Sequence, residues 1–235
     1  MRAALREKLD FVYPWGGSVD LPSKLTATEL KDPLEADADA APMQGELPAT
    51  DFRHAAPGKD RTLNAVQRGT ATHTFLQYVD FARTASREEL RAEAERLTAE
   101  GRLDASECAV LDLAAVEKLF SSPLGREMRA ASTLRREFRF QLLCAAAEYF
   151  PGAAAEDEIL LQGVVDCYWE DEDGITVVDY KTDWVADRQA AEERAKHYRP
   201  QLRTYARALE RICRKPVKEC TLYFLGIGEA VSVEE

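Results

Sequence analysis

The 235-residue sequence lacks several features that mark common protein classes. It has no apolar run near the roughly 18 residues that a membrane span requires, and its N-terminal stretch lacks the apolar region and cleavage site of a signal peptide. Five scattered cysteines, an odd number, favour reduced thiols over a disulfide framework. No internal repeat and no G-x-x-x-x-G-K-[ST] phosphate loop occurs. These absences predict a cytoplasmic protein that has no membrane contact and no ATPase site.

Positive charge is scarce over the whole chain but locally concentrated. The formal net charge is −11, which argues against a coat protein for nucleic acid, because such proteins need a basic surface. The segment 187–218, however, contains ten Lys and Arg residues and only four acidic ones, a net charge of +6. A partner that carries phosphate groups therefore remains possible.

The composition changes along the chain and suggests three parts. Residues 1–31 are expected to form an N-terminal extension packed on the main domain, with a short helix at Ala3–Leu9 and a helical turn near Ala27–Lys31 capped by Thr26. Residues 32–60 are rich in Ala, Asp and Pro without apolar periodicity, which predicts a mobile loop or linker. Residues 61–235 form the main domain.

The main domain begins with helical periodicity and then changes to strand patterns. Helices are predicted from Thr62 to Ala131, with starts at Ser86, Asp104 and Ser122–Pro123. Next come three strands, two helices and two closing strands, at 134–143, 159–169, 175–181, 188–197, 199–214, 217–225 and 230–233. The second and third strands, joined by a polar turn ending in Gly174, read as a hairpin. This order predicts an α/β domain with a mixed sheet.

The hairpin carries the most informative charged residues. Asp166 lies in the apolar strand that contains GVVD, and Asp179 and Lys181 lie in VVDYK of the next strand. Because side chains alternate along a strand, Asp179 and Lys181 point to one face, and Asp166 can lie beside them. Two carboxylates and an ammonium group in an apolar sheet predict either a Mg²⁺ or Mn²⁺ site or a buried Asp179–Lys181 ion pair with Asp166 facing solvent.

Four further residues have both a structural and a functional interpretation. Gln201 and Tyr205 are spaced i, i+4 and can share one helix face, either at the surface or over the hairpin site. His73 lies on an apolar helical stripe, where it can be a satisfied core residue or a metal ligand. Glu137, flanked by arginines in LRREFRF, can form an edge ion pair or supply another carboxylate to a metal. The arginines at 199, 203, 207 and 211 form a stripe facing away from this site.

These residues together resemble a known family. The order RGTATH, RREF, GVVD, DYK and Q-x-x-x-Y is similar to RecB-type PD-(D/E)xK nucleases, and most similar to the nuclease domain of AddA-type helicase–nucleases. Each motif is weak alone, but five in order are specific. The stretches LPSKLTATELK (21–31) and RGTATHTFLQYVDF (68–81) share this likeness, which runs from about Leu9 to the C-terminus apart from 32–60.

The resemblance implies a central mixed sheet flanked by helices and a Mg²⁺- or Mn²⁺-dependent DNA nuclease of exonuclease type. It implies that His73, Asp166, Asp179 and the main-chain carbonyl of Tyr180 bind the metal. It implies that Lys181 is the catalytic lysine, supported by Gln201 and Tyr205, with Glu137 as a neighbouring acid. No iron–sulfur cluster is expected, because the four-cysteine pattern of related nucleases is missing.

The resemblance also implies partners and leaves rival functions. The expected partners are DNA, a helicase portion of the same polypeptide and an AddB-like subunit, and the isolated domain is expected to be monomeric. One rival is a DNA-binding or docking module that keeps the fold without cleaving. Another is a stand-alone endonuclease of the same superfamily, which the likeness of 21–31 to the recombination enzymes disfavours.

Overall fold

The computed structural model describes residues 21–30 and 65–233, and side chains from residue 67 onward in the second range. The expected helix at Ala3–Leu9 and the predicted linker at 32–60 lie outside these residues. The first described element is a short strand, β1 (Lys24–Thr26), followed by a 3₁₀ turn at Ala27–Leu30. Thr26 caps this turn as expected, because its hydroxyl accepts the Glu29 amide N–H while the Glu29 carboxylate accepts the Thr26 amide N–H.

Five helices precede the main strands. They are α1 (Ala65–Tyr78), α2 (Arg87–Ala99), α3 (Ala105–Val110), α4 (Leu113–Ser121) and α5 (Pro123–Ala130), with a 3₁₀ turn at Phe81–Arg83. The predicted helix starts are confirmed, since Ser86, Asp104 and Ser122 each accept an amide N–H three residues further on. Gly101, with φ of +70°, follows the end of α2 as expected.

Six strands form one mixed sheet. The long central strand β3 (Glu158–Glu170) pairs antiparallel with β2 (Arg135–Ala145) along nearly its whole length. A 3₁₀ turn at Ala146–Glu148 follows β2. The other edge of β3 is shared by β1, which is parallel to it, and by the antiparallel β4 (Ile175–Lys181). The sheet continues to β5 (Val217–Phe224), parallel to β4, and then to the antiparallel β6 (Glu229–Ser232).

The sheet separates two hydrophobic cores. On one face, α6 (Arg188–Cys213) packs with side chains such as Tyr198, Leu202 and Leu209. On the other face, α1 to α5 bury residues such as Phe75 and Leu119. Helices therefore cover both faces of the mixed sheet, which confirms the predicted restriction-endonuclease-like α/β fold.

The prediction of two helices between residues 188 and 214 is wrong. The chain forms a single helix, α6, with Pro200 inside it. Proline removes only one intrahelical hydrogen bond, and the carbonyl of Lys196 that loses its donor belongs to an exposed residue. Buried residues occur on both sides of Pro200, so the helix continues across it to bury one apolar face. None of the described helices is long and apolar enough to cross a membrane.

Candidate metal and phosphodiester site

The candidate site lies where β3 and β4 separate. Their antiparallel pairing ends at Cys167 and Val178, so the next residues, Asp166 and Asp179, are not joined by ladder bonds. The carboxylate of Asp166 bridges this gap, because its Oδ2 accepts the main-chain N–H of Tyr180 at 2.8 Å. The split places a carboxylate from each strand at the same level of the sheet.

Three side chains meet at this split. His73 from α1, Glu137 from β2 and Asp166 from β3 each offer a ligand atom, and these atoms lie within 4.8 Å of one another. The Nδ1 atom of His73 is 3.5 Å from Oδ2 of Asp166, and the two side chains keep 22% and 12% of their surface exposed. Two carboxylates and an imidazole, partly open to solvent, match the ligands of a divalent cation such as Mn²⁺ or Mg²⁺.

The backbone is irregular at this cluster. Glu137 lies opposite Asp166, but the register of β2 and β3 skips this pair, and Glu137 has a φ of +49°. Val165 packs in the core below α6 and Cys167 in the core on the opposite face, so strict alternation is interrupted at Asp166. The interruption leaves both acidic residues at the boundary between the two layers, where His73 can reach them from α1.

The electrostatics of Glu137 reflect its enclosure among like charges. Burial raises its pKa to about 7, and the negative charges of Asp166 and Asp179 raise it further, while His73 and Arg139 partly oppose this. No ion pair joins Glu137 to an arginine within the described residues, so the edge ion pair considered from the sequence is absent there. A carboxyl group in this position would favour a nearby cation.

Asp179 and Lys181 share one face of β4, as the alternation predicts. Lys181 Nζ lies 2.8 Å from Asp179 Oδ2, and both side chains are only 3% exposed. Burial alone would raise the pKa of Asp166, but His73, Lys181 and the Tyr180 amide lower it below its ordinary value. The chain thus contains the buried Asp179–Lys181 pair, while Asp166 does not face open solvent as the structural interpretation required.

The helix α6 covers the Asp179–Lys181 side of the split. Gln201 Nε2 donates to the hydroxyl of Tyr205 at 2.7 Å, and both residues are buried rather than at the surface. Burial raises the pKa of Tyr205 well above its ordinary value, and the nearby charges of Asp179 and Asp166 add to this shift. Tyr205 therefore stays a neutral phenol close to both carboxylates.

A second set of contacts holds Lys181. Its Nζ lies 3.8 Å from the ring centroid of Tyr198, a fully buried residue of α6. The hydroxyl of Tyr198 donates to Asp183, whose Oδ2 also accepts a bond from Arg194 Nε at 2.9 Å. The ammonium group is thus fixed between a carboxylate and an aromatic ring.

Comparison with known proteins places the chain in a family. Residues 48–233 match the model of the PD-(D/E)XK nuclease superfamily. The chain belongs to the PD-(D/E)XK nuclease superfamily. The predicted resemblance is therefore confirmed.

Relatives of this nuclease-family chain are much longer proteins. The AddA-type component of the ATP-dependent helicase/nuclease of Desulforudis audaxviator is 34% identical over 98% of this chain, and that of Geobacillus kaustophilus is 34% identical over 98%. The corresponding protein of Moorella thermoacetica is 35% identical over 97% of the chain. The chain spans 19%, 19% and 16% of these three relatives, about a fifth of their length. A solved structure titled "Crystal structure of SSO0001" aligns at 14% identity with a TM-score of 0.34, over 72% of this chain and 76% of that one.

Three residues of this nuclease-family domain beside Lys181 were missed by the sequence analysis, namely Asp183, Arg194 and Tyr198. A signal for Tyr198 was present, because it lies three residues before Gln201 and so shares its helix face. Asp183 and Arg194 carry no comparable signal, since each is recognisable only through its bond to the other.

Proposed function

We propose that this chain is a metal-dependent deoxyribonuclease domain of exonuclease type that hydrolyses phosphodiester bonds with Mg²⁺ or Mn²⁺. The observation that carries the proposal is the meeting of His73, Glu137 and Asp166 beside the buried Asp179–Lys181 pair, in a chain of this nuclease superfamily. A divalent ion at such a site lowers the pKa of a water molecule and neutralises charge on the phosphate.

The residues of the chain have distinct roles in this proposal. His73, Asp166 and Asp179 hold the metal, helped by the carbonyl of Tyr180, and Glu137 adds a neighbouring carboxylate. Lys181 stabilises the negative charge that develops on the phosphate or orients the attacking water. Gln201 and Tyr205 support the site from α6, where Tyr205 can donate a hydrogen bond because it remains protonated.

The biological setting follows from the relatives. We propose that the domain belongs to a longer AddA-like helicase–nuclease acting on DNA in double-strand-break processing and recombination. Its partners would be the helicase portion of the same polypeptide and an AddB-like subunit, in the cytoplasm. We also propose that residues 1–31 pack on the nuclease domain 61–235 through a mobile segment at 32–60, and that the isolated domain is monomeric.

A cleavage assay tests the activity. Wild-type protein, Asp179→Asn and Lys181→Gln are incubated with Mg²⁺ or Mn²⁺ and with linear or circular DNA, single- or double-stranded. The control is Asp173→Asn, which changes an exposed acidic residue in the hairpin turn. We expect wild type and control to degrade linear DNA and spare single-stranded circles, and the two site variants to be slower by about 100-fold or more.

Circular dichroism spectra of all four proteins establish that they are folded. Wild-type protein that leaves every substrate intact with either metal contradicts the nuclease proposal, as do site variants that cut at the wild-type rate. Rapid cutting of single-stranded circles contradicts the exonuclease assignment alone. Binding of DNA without any cutting supports the non-cleaving module.

A further inference from the structure

A cavity with four arginines lies on the face of the sheet opposite α6. It has a volume of about 600 Å³ and is bounded by the end of α1, the 3₁₀ turn after it, α2, the end of α5 and the start of β2. The four arginines lining it are Arg83, Arg96, Arg129 and Arg136. This is an unusual concentration of positive charge for a chain whose net charge is −11.

Only part of this positive charge is neutralised. The fully buried carboxylate of Glu93 forms ion pairs with Arg83 at 2.8 Å and Arg96 at 2.6 Å, and it accepts the main-chain N–H of Asp80. Arg96 also pairs with the half-exposed Glu100 at 2.8 Å. Glu93 therefore fixes two guanidinium groups at the cavity while cancelling only one positive charge.

The other two arginines have no acidic partner among the residues described. The guanidinium group of Arg136 donates to the main-chain carbonyls of Leu76 and Val79 at 3.1 and 2.7 Å and lies 4.6 Å from the ring centroid of Phe81. Arg129 is exposed and forms no ion pair in that part of the chain. Asp80 is the one acidic residue among those lining the cavity, so the surface is clearly cationic.

The cavity adjoins the proposed metal cluster along two elements. Arg136 directly precedes Glu137 on β2, and Tyr78 and Val79 at the cavity follow His73 on α1 by about 8 Å of helix rise. A strand that passes the cluster could therefore extend into the cavity. Guanidinium groups suit phosphate because their planar donors match its oxygens, and the volume exceeds that of a single free phosphate ion.

We propose that this cavity, the arginine groove, binds the phosphodiester backbone of a nucleic-acid strand on its way to or from the metal cluster. The proposal rests on the nuclease function proposed above and adds a substrate-binding site to it. Glu93 keeps Arg83 and Arg96 in place, Arg136 is anchored to the end of α1, and Arg129 contributes the most accessible charge. Contacts to phosphate alone predict binding that is independent of base sequence.

Binding is measured without cleavage, with the whole 235-residue chain in EDTA and a fluorescent oligodeoxythymidylate as the probe. Fluorescence anisotropy at several salt concentrations compares wild type with Arg129→Gln and Arg83→Gln. Two matched controls are Arg91→Gln, on the exposed surface of α2 outside the groove, and Arg203→Gln, on the arginine stripe of α6. All four changes remove one exposed or half-exposed charge, so each variant should keep its fold, which thermal melting checks.

We expect Arg129→Gln and Arg83→Gln to weaken binding about threefold or more at low salt and to reduce the slope of log K against log salt by about 0.7 each. The two controls should bind like wild type. Groove variants that bind like wild type overturn the proposal, as does a loss confined to Arg203→Gln or a wild type that does not bind the probe. Displacement of the probe by polyglutamate as effectively as by unlabelled oligonucleotide also overturns it, in favour of an acidic peptide.

The two proposals fail in different ways. A protein that cuts DNA with Mg²⁺ while its groove variants bind normally refutes the groove and leaves the nuclease function intact. A protein that binds through the groove and never cuts refutes the nuclease function and leaves the groove intact.

Discussion

At the scale of single residues, Glu137 stands out through its backbone. Of the residues that the structure describes, Glu137 and Arg214 are the only non-glycine ones with positive φ, and Glu137 lies within a strand. The left-handed conformation costs an L-residue about 1–2 kcal/mol. Strain of this kind collects at functional sites, where the surroundings hold the residue in place. Here it accompanies the placement of a carboxylate beside Asp166 and His73.

Substitutions at Glu137 can separate this backbone strain from the chemistry of the side chain. Glycine relieves the strain but adds entropy to the unfolded chain, so Glu137→Gly should be more stable than Glu137→Ala by about 1 kcal/mol. Urea denaturation in EDTA measures this difference. Both variants should lose metal-dependent cleavage to a similar extent, because both lack the carboxylate.

The matched control is the same pair of substitutions at Glu172, an exposed residue in the hairpin turn whose φ is not positive. There, glycine should be no more stable than alanine. Equal stability of Glu137→Gly and Glu137→Ala contradicts the assignment of strain.

At the scale of elements, the helices α1 and α2 are joined by a buried charge. The carboxylate of Glu93 on α2 accepts bonds from Arg96 and from the Asp80 amide that follows α1, and it pairs with Arg83. Burial alone would raise the pKa of Glu93, but these bonds and charges lower it below its ordinary 4.5. A lowered pKa means that the ionised carboxylate is more stable in the folded protein than in the unfolded one.

Glu93→Gln should therefore reduce the free energy of unfolding by about 1–3 kcal/mol at pH 7. Because the folded-state pKa is lowered, this contribution is fully present above the ordinary pKa of 4.5 and is lost as the pH falls through the lower folded value. The difference between wild type and variant should shrink as the pH decreases below about 4.5 in urea titrations. Glu95→Gln, an exposed residue on the same helix, should show no such difference at any pH. A constant difference for Glu93→Gln across pH contradicts the argument.

At the scale of the whole molecule, the candidate metal cluster joins the two layers. His73 comes from the helical layer, whereas Glu137 and Asp166 come from the sheet. An ion bound by all three would connect α1 to β2 and β3 in the folded state only. Such a ligand stabilises the fold by mass action, by about 2.7 kcal/mol at a concentration 100 times its Kd.

We therefore expect Mn²⁺ to raise the melting temperature of the metal-free protein. The increase should be small or absent in His73→Ala and Asp166→Asn and normal in Asp173→Asn, as measured by differential scanning fluorimetry. An equal increase in all four proteins would assign the ion to another site.

Much of the local structure was predictable from the sequence. The strand at Ile175–Lys181, the hairpin before it and the caps at Ser86, Asp104 and Ser122 depend on alternation and on side chains within a few residues of one another. Similar local reasoning was wrong for Pro200, because the continuous buried face of α6 outweighs one missing hydrogen bond. The strand β1 was also missed, since three residues carry too little periodicity to identify a strand.

By itself, the sequence determined which segments are helices and strands and that Asp179 and Lys181 share one face, because these properties arise from periodicity along the backbone. The tertiary structure alone decided that β3 and β4 separate at Asp166, that His73 and Glu137 meet there, and that Tyr198 lies against Lys181. It also decided that four arginines from distant segments line one groove. These arrangements join residues far apart in the chain, and they depend on how two layers pack against one sheet, which short-range patterns do not encode.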